Sequence, residues 1–287
     1  MLSLKYSIDL NYEIDPPGCD LVLSIHAAHT LHQTVVNESL AISQYLPSSL
    51  YTDPVTRSRL LRLKAFAGPL TVRYDAIVDL DHYTAQPSQI AEVPVANLPW
   101  SVLPYIYPSR YCQSDRLHRL AVKEFGYLWQ GYSRVQAIRD WVLNHVSFLS
   151  NSSTGNTSAL DTLVDEVGVC RDFAHLMIAL CRAVNIPARF VTGIDYGANP
   201  ELGPTDFHAY VEVYLGDRWY IFDPSGVAIP MGFVRISTGR DAADSAIATL
   251  FGGVRGAAPV IKIDPIPNAQ GVLMVPQHVP YALSTDE

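Results

Sequence analysis

Apolar and polar side chains alternate with a period of two through most of the first 80 residues, a pattern that predicts half-buried β-strands. Turn sequences rich in Gly and Pro, at residues 15–18 and 67–69, separate these runs. The predicted strands are 4–14, 21–27, 34–44, 57–66 and 70–80. Several short strands with regular turns and no helical period are typical of a β-sandwich. We therefore expect an N-terminal β-sandwich-like domain over residues 1–86.

The pattern changes after this domain. Residues 87–108 contain five prolines, too many for regular structure, so we interpret them as a linker. Beyond the linker, apolar residues recur at intervals of three and four, which predicts helices over 114–125 and 133–146. Ser133 followed by Gln136 has the spacing of a capping box and is predicted to begin the second of these helices.

A third helix is predicted between Gly168 and Val184, with one broad apolar face. Asn185 tolerates the left-handed conformation and Pro187 cannot continue a helix, so the two end it. Cys170 then falls in the first turn. Unpaired N–H groups and the positive end of the helix dipole favour a thiolate there. Most free cysteines in proteins are nevertheless buried packing residues, so Cys170 needs a neighbouring base to be a candidate nucleophile.

The segment after this helix is predicted to form an antiparallel sheet. Residues 188–196 have strand character, 197–206 form a Gly- and Pro-containing loop, and two β-rich runs follow at 207–215 and 218–223. The two residues between those runs, Gly216-Asp217, predict a tight hairpin with a type II′ turn, since Gly supplies the positive φ that this turn needs. One helix packed on such a sheet gives an α+β fold.

The hairpin register brings a candidate base and a carboxylate together. If the residues that flank the turn are paired, His208 and Asp223 lie on the same face as diagonal neighbours. A carboxylate that orients the imidazole and stabilises its charged form is what a Cys-His couple needs. Glu212 shares the face, and we expect Arg189 on the preceding strand to pair with it unless Glu212 is solvated.

The rest of the chain is assigned more coarsely. We place a core domain at 109–255 and C-terminal strands with a loosely ordered tail at 256–287. Within these, 239–251 is interpreted as a short helix, and 260–263 and 271–275 as strands.

The amino-acid composition excludes some classes of function. The chain has 287 residues, 48% of them hydrophobic, and a net charge of -8, so it is a globular protein without the basic surface that nucleic-acid binding needs. It lacks an apolar run long enough to cross a membrane, and its first residues lack an apolar export signal, so we expect neither a nucleic-acid nor a membrane partner. Four scattered cysteines without a CxxC spacing indicate a reducing, cytoplasmic location. The oligomeric state is not predicted.

A metal site or cofactor is not expected. Two sets of side chains are of types that bind metals. One is His26, His29 and His32, and the other is Cys170, His175 and His208. The first set has helical spacing within residues that otherwise form strands and a turn, so we interpret it as solvated polar positions. In the second, the two helix residues are five apart and point to different faces.

Four short segments resemble a known family. They are Gly-Val-Cys-Arg-Asp-Phe-Ala-His-Leu at 168–176, Ile-Pro-Ala-Arg at 186–189, His-Ala-Tyr-Val-Glu-Val-Tyr at 208–214 and Trp-Tyr-Ile-Phe-Asp-Pro-Ser at 219–225. Together they resemble the transglutaminase-like superfamily, specifically its bacterial branch of putative cysteine proteases. The resemblance extends from about residue 98 to 253. Tyr210 and Ser225 depart from it, because the family often has Trp and Thr at these positions.

The resemblance implies a papain-like transglutaminase core, a Cys-bearing helix on an antiparallel sheet, preceded by a β-domain. It also implies a catalytic triad with Cys170 as nucleophile, His208 as general base and acid, and Asp223 as orienting carboxylate. The polar segment 148–158, just before the helix, is expected to form a rim of the site. The backbone N–H of Cys170 is one candidate oxyanion donor.

These residues predict thiol-dependent acyl transfer on a peptide or protein substrate. We expect hydrolysis of peptide or amide bonds, as in a cysteine protease or amidase, because the resemblance is to that branch. Transglutaminase-type cross-linking through the same acyl-enzyme is the first alternative. A non-catalytic protein-binding module of the same fold, or a ligand-binding protein in which Cys170 is merely buried, stays open as well.

Overall fold

A computed structural model describes residues 1–197 and 205–286 of the chain. All five strands predicted in the first 80 residues are present, and one further strand, β4, lies between the third and fourth of them. The strands before the first helix are β1 Leu2–Ile14, β2 Cys19–Leu23, β3 Gln33–Ile42, β4 Ser48–Thr52, β5 Arg59–Ala65, β6 Gly68–Leu80 and β7 Tyr83–Ala85. Most of the loop predicted at 197–206 lies outside the described residues.

The second part of the chain carries four helices among its described residues. In chain order the elements are α1 Ser114–Phe125, α2 Tyr132–His145, β8 Ser147–Phe148, α3 Ala159–Asp165, β9 Val167–Gly168, α4 Cys170–Ala183, β10 Ala188–Asp195, β11 Phe207–Leu215, β12 Arg218–Phe222, β13 Phe233–Gly239, β14 Ala248–Phe251, β15 Val254–Gly256, β16 Val260–Ile266 and β17 Ala282–Ser284.

The N-terminal domain is built from two antiparallel sheets. One has the order β15-β1-β6-β3, with β16 also paired to β1, and the other has the order β14-β2-β5-β4. The alternating apolar side chains of both sheets meet in one buried cluster, as expected of a β-sandwich. Ile194, Val234 and Ile236 from the second part of the chain join that cluster, so the two parts share a continuous core.

The C-terminal residues complete the first sheets. Strand β14 pairs with β2, and β15 and β16 pair with β1. The helix predicted at 239–251 is therefore wrong, because residues 248–251 find a strand partner more than 220 residues earlier in the chain. The predicted strand at 260–263 is present, whereas 271–275 contributes only an isolated bridge between Pro267 and Leu273.

The tail predicted to be loosely ordered from residue 276 ends in a packed strand. Strand β17 pairs with β7, and its residues Ala282, Leu283 and Ser284 are buried. The domain boundaries at 86, 108 and 255 remain predictions. What the strand pairing shows is that the chain crosses back to the N-terminal sheets after β13.

The antiparallel sheet β12-β11-β10-β13 carries helix α4 on one face. Every residue of α4 from Asp172 to Ala183 is buried, because α1, α2 and α3 cover the sides of the helix that do not face the sheet. This arrangement confirms the α+β fold and the Cys-bearing helix on an antiparallel sheet. None of the described helices is both long and apolar enough to cross a bilayer.

The start of α2 differs from the prediction. Its N-cap is Gly131, with φ of 140°, and the Ser133–Gln136 capping box does not form. A side chain at Gly131 would place its Cβ 2.7 Å from the carbonyl oxygen of Ile90, so only glycine fits. The Gly131 N–H donates instead to the Glu92 carboxylate in the proline-rich segment 87–108 (2.9 Å). A long-range contact therefore replaces the expected local cap.

Candidate active site

Cys170 is the first residue of α4, and its half-buried thiol lies where the sequence placed it. The preceding residue, Val169, has an extended backbone, and its N–H donates to Oδ2 of Asp172 (2.9 Å). Oδ1 of Asp172 accepts a hydrogen bond from the Ser153 hydroxyl (2.9 Å). Asp172 is fully buried, so water does not compete for these two hydrogen bonds, and they stabilise the first turn of the helix. Asp172 was not among the residues predicted to cap a helix.

The polar segment before the helix lies next to Cys170. Arg171 donates from Nη2 to the Ser153 hydroxyl (2.6 Å) and to the carbonyl oxygen of Thr154. Gly168, immediately before this turn, has no space for a side chain, because its Cβ would lie 2.7 Å from Cβ of Asp172. The segment predicted to form a rim of the site is thus tied to the first turn of α4 on the side of the nucleophile.

The β11–β12 hairpin has the predicted register, with Leu215 opposite Arg218 and Val211 opposite Phe222. The predicted turn type is wrong. Both central residues have positive φ, 52° at Gly216 and 69° at Asp217, which is the type I′ conformation. Asp tolerates this left-handed conformation, so the Gly-Asp sequence is compatible with either turn. The register, which decides the face of each side chain, is the same.

His208 and Asp223 meet as the register requires. Nε2 of His208 lies 3.4 Å from Oδ1 of Asp223, and both side chains are buried. The turn after β12 fixes the carboxylate: Oδ1 accepts from the N–H (3.0 Å) and hydroxyl (2.6 Å) of Ser225, and Oδ2 accepts from the N–H of Ala228 (3.3 Å). Ser225 therefore holds Asp223 in place, a role that its position in the sequence did not reveal.

The charges of this group favour an imidazolium. Burial alone would lower the pKa of His208, but the Asp223 carboxylate and the Cys170 thiol raise it well above its usual range. Burial would raise the pKa of Asp223, yet His208 and Ser225 keep it below its ordinary value. Cys170, His208 and Asp223, three residues from separate segments, are therefore brought together in a form suited to proton transfer.

A fourth ionisable group faces the same imidazole. Oδ2 of Asp195, at the end of β10, lies 4.0 Å from Nδ1 of His208, and the carboxylate is only 3% exposed. Burial and the nearby Asp223 raise the pKa of Asp195 despite the opposing effect of His208. Asp195 was not among the predicted site residues. Asp195 lies two residues beyond Gly193, which is the strand partner of His208, and it therefore shares a face of the sheet with the histidine. That position could be recognised only once β10 was paired with β11.

The comparisons identify the family. A family model described as "Transglutaminase-like superfamily" matches residues 125–224, a range that includes Cys170, His208 and Asp223. A second model, "Bacterial transglutaminase, N-terminal domain", matches residues 2–101. The chain belongs to the transglutaminase-like superfamily.

Relatives of this transglutaminase-like chain differ in how much of it they share. A crystal structure of a "Putative Cysteine Protease" from Cytophaga hutchinsonii is 38% identical, covers 99% of this chain and 97% of that chain, and superposes with a TM-score of 0.90. The uncharacterized protein ML0607 of Mycobacterium leprae is 31% identical over 39% of this chain and 42% of its own length. The uncharacterized protein YebA of Bacillus subtilis is 26% identical, over 49% of this chain and 22% of its own length. The matches thus span less than half of these two curated relatives.

A buried ion cluster lies further along the sheet of the transglutaminase-like core. Arg189 donates from Nε to Oε2 of Glu212 (2.7 Å), which confirms the predicted pair. Two members were not predicted: Arg235 on β13 and Asp286 near the end of the chain. Asp286 Oδ2 lies 2.6 Å from both Arg189 Nη2 and Arg235 Nη1. Two arginines and two carboxylates balance in charge, which offsets the cost of burying them.

The histidines weighed as metal ligands have other environments. His175 is fully buried, stacks on Tyr111 with 5.0 Å between ring centres, and accepts the N–H of Ala242 at Nε2 (3.2 Å). Burial holds its pKa well below the usual range, so it is neutral. His26 is buried against Tyr74 and not solvated as expected. Within 1–197 and 205–286, three or more His, Cys, Asp or Glu side chains never converge as a metal site would require.

Proposed function

We propose that this member of the transglutaminase-like superfamily is a thiol-dependent acyl-transfer enzyme with Cys170 as nucleophile, His208 as general base and acid, and Asp223 as orienting carboxylate. Family membership supports thiol-based acyl transfer in general terms. The observation that carries the proposal is the position of His208, which lies 3.4 Å from the Asp223 carboxylate and whose pKa both Asp223 and Cys170 raise. A nucleophile, a base and a group that orients the base are the parts that covalent catalysis needs.

In the first half-reaction the Cys170 thiolate attacks the carbonyl carbon of the substrate and a C–S bond forms. The carbonyl π electrons move to oxygen. The backbone N–H of Cys170 is the candidate donor to this oxyanion, because the N–H of a first-turn residue has no partner within the helix. As the intermediate collapses, the C–N bond breaks and the His208 imidazolium gives its proton to the leaving amine. The product is a thioester on Cys170.

The second half-reaction releases the acyl group. We favour water as the acceptor, and hence hydrolysis of peptide or amide bonds, because the relative from Cytophaga hutchinsonii that shares nearly the whole chain is described as a "Putative Cysteine Protease". Transfer to an amine would use the same thioester and is the second candidate. The expected peptide or protein substrate, the absence of nucleic-acid and membrane partners and the cytoplasmic location stay predictions from the sequence.

The test uses an activated ester, p-nitrophenyl acetate, because it acylates thiolates without a specific binding site. We expect the protein to release p-nitrophenol in a burst and to carry an acetyl group on Cys170, found by mass spectrometry of its peptides. Cys170→Ala should abolish both, and His208→Ala should slow the burst by about a hundredfold or more. If Cys170 of the wild-type protein is not acylated, the hypothesis of a non-catalytic protein-binding module replaces that of an acyl-transfer enzyme.

A second assay separates the two acceptors. The protein is incubated with a library of fluorogenic peptide amides, with and without a fluorescent primary amine, and Cys170→Ala serves as the matched control. Cleavage without incorporation of the amine supports a protease or amidase. Incorporation of the amine in preference to water would instead identify a transglutaminase.

A further inference from the structure

The buried carboxylate of Asp195 lies beside His208, in surroundings that the packing of the fold does not explain. It ends β10, two residues beyond Gly193, which pairs with His208 across the sheet. Its carboxylate is 97% shielded, since only 3% of the residue is exposed. Among the described residues, no donor hydrogen-bonds to Oδ2, the oxygen that faces His208. A buried carboxylate oxygen without a donor costs free energy, so this arrangement calls for a partner that binds during function.

The contrast with Asp223 shows that the two acids have different roles. Asp223 accepts hydrogen bonds from Ser225 and Ala228 at both oxygens and faces Nε2 of His208. Asp195 faces the other ring nitrogen, Nδ1, at 4.0 Å. Because Asp223 already orients the ring and is held in place, a second orienting carboxylate is not needed. Asp195 therefore faces the ring nitrogen of the proton-transferring histidine that Asp223 does not contact.

The distance between the two groups suits a shared hydrogen-bond donor. At 4.0 Å, Nδ1 of His208 and Oδ2 of Asp195 are too far apart for a direct hydrogen bond. An oxygen or nitrogen atom can, however, lie about 2.8 Å from both of them and donate one proton to each. Water and a primary amine each carry two such protons. In the thioester the Cys170 sulfur is bonded to carbon, so the imidazole is free to accept one.

We propose that Asp195 is a further catalytic residue, which binds the second nucleophile, water or an amine, by accepting a hydrogen bond while His208 accepts the other proton. This inference rests on the proposed function, because it requires a thioester at Cys170. The position of Asp195 at the end of β10 then determines where the nucleophile approaches the thioester. Its carboxylate favours nucleophiles with two donor protons.

The second half-reaction then resolves the thioester. The oxygen or nitrogen lone pair of the nucleophile attacks the thioester carbon and forms the new C–O or C–N bond. One proton of the nucleophile moves to His208, and the other stays in its hydrogen bond to Asp195. The C–S bond breaks, its electron pair returns to Cys170 as thiolate, and the acid or amide product leaves. The thiolate and the imidazolium of His208 are restored together.

The experiment measures the two half-reactions separately with p-nitrophenyl acetate. Its p-nitrophenolate leaving group needs no proton, so the burst reports the attack by Cys170, and the following steady state reports deacylation by water or added ethylamine. Asp195→Ala and Asp195→Asn are compared with Asp206→Asn, which removes an exposed carboxylate two residues before His208. We expect Asp195→Ala to slow deacylation roughly ten- to a hundredfold, as loss of a hydrogen bond to a charged group does, with the burst rate within about twofold of wild type.

Asp195→Asn keeps an accepting oxygen and should lose less, and Asp206→Asn should match wild type in both phases. Equal slowing of burst and deacylation in the Asp195 variants would overturn the proposal in favour of a structural role. Unchanged deacylation would overturn it as well. In both cases the acetyl group on Cys170, seen by mass spectrometry, shows that the proposed function still stands. A wild-type protein without that acetyl group would overturn both proposals.

Discussion

The charge of Asp223 is the feature of the triad that can be tested most directly. Asp223→Asn preserves the size of the side chain and an oxygen that can accept from Ser225, while it removes the charge that faces His208. At 3.4 Å the attraction between carboxylate and imidazolium amounts to about 5 kcal/mol at an effective dielectric constant of about 20. Loss of even a third of that attraction would lower the population of the thiolate–imidazolium pair roughly tenfold.

The sign of the pH effect follows from the pKa of His208. Asp223 and Cys170 raise that pKa, so the imidazolium of His208 persists to higher pH than that of a free histidine. Without the carboxylate, His208 loses its proton at lower pH. The ring beside Cys170 is then neutral over part of the pH range in which the wild-type ring is charged, and a neutral ring does not attract a thiolate. The variant should therefore lose reactivity at acidic pH and keep it at alkaline pH.

The assay is the rate of iodoacetamide alkylation of Cys170 between pH 5 and 9, followed by mass spectrometry of the labelled peptide. At pH 6 we expect Asp223→Asn to react about tenfold more slowly than wild type or worse, and at pH 9 the two should converge. Cys112 and Cys181 are internal references, because burial raises the pKa of both thiols, that of Cys112 to about 12. Superimposable profiles for the variant and wild type would refute the reasoning, and Asp206→Asn controls for a general change in charge.

Three further predictions concern stability. Glu212→Gln leaves the buried guanidinium groups of Arg189 and Arg235 with less negative charge, so we expect a loss of about 3–5 kcal/mol in the free energy of unfolding, measured in urea. Asp172→Ala removes the N-cap contact of α4 and should cost about 1–2 kcal/mol in the same measurement; an effect within error would show that the contact is not a cap. Burial, reinforced by a nearby arginine, lowers the pKa of His26 to about 4, and the unfolded value is about 6.5. The unfolded chain therefore binds more protons between these values, and stability falls as the pH drops through that window, by roughly 3 kcal/mol for this group. His26→Gln should reduce that pH dependence in urea titrations at pH 4.5 and 7, and an unchanged difference would contradict the assignment.

Local patterns were sufficient to predict α4 and the β11–β12 hairpin. The helix has its start, apolar face and end within one continuous segment, so each signal reports on the same element. In the hairpin, the loop length fixes the register, and the register fixes which side chains share a face. His208 and Asp223 could therefore be placed together from their distance to the turn. The turn type itself could not, since Gly-Asp suits both conformations.

Elements that depend on distant partners were missed or misassigned. Residues 248–251 form a strand because the edge of β2 is available to them, and no pattern within residues 239–251 indicates that edge. The N-cap of α2 was misplaced for a similar reason, because Glu92 accepts the Gly131 N–H from the proline-rich segment. Asp195 is one polar residue at a strand end until β10 is paired with β11. In each case the deciding interaction joins residues far apart in sequence.

The buried ion cluster shows how such distant contacts support the site. Arg189, Glu212 and Arg235 belong to β10, β11 and β13, three adjacent strands of the sheet that also carries Asp195 and His208. The fourth member, Asp286, comes from the C-terminal segment, and both arginines bond to its Oδ2. Without this carboxylate, Glu212 alone would face two buried guanidinium groups, at a cost of several kcal/mol. Asp286 in the C-terminal segment therefore neutralises buried positive charge in this sheet. Because the ends of its strands carry His208, Asp195 and Asp223, the geometry of the triad depends on a residue more than 60 positions beyond it.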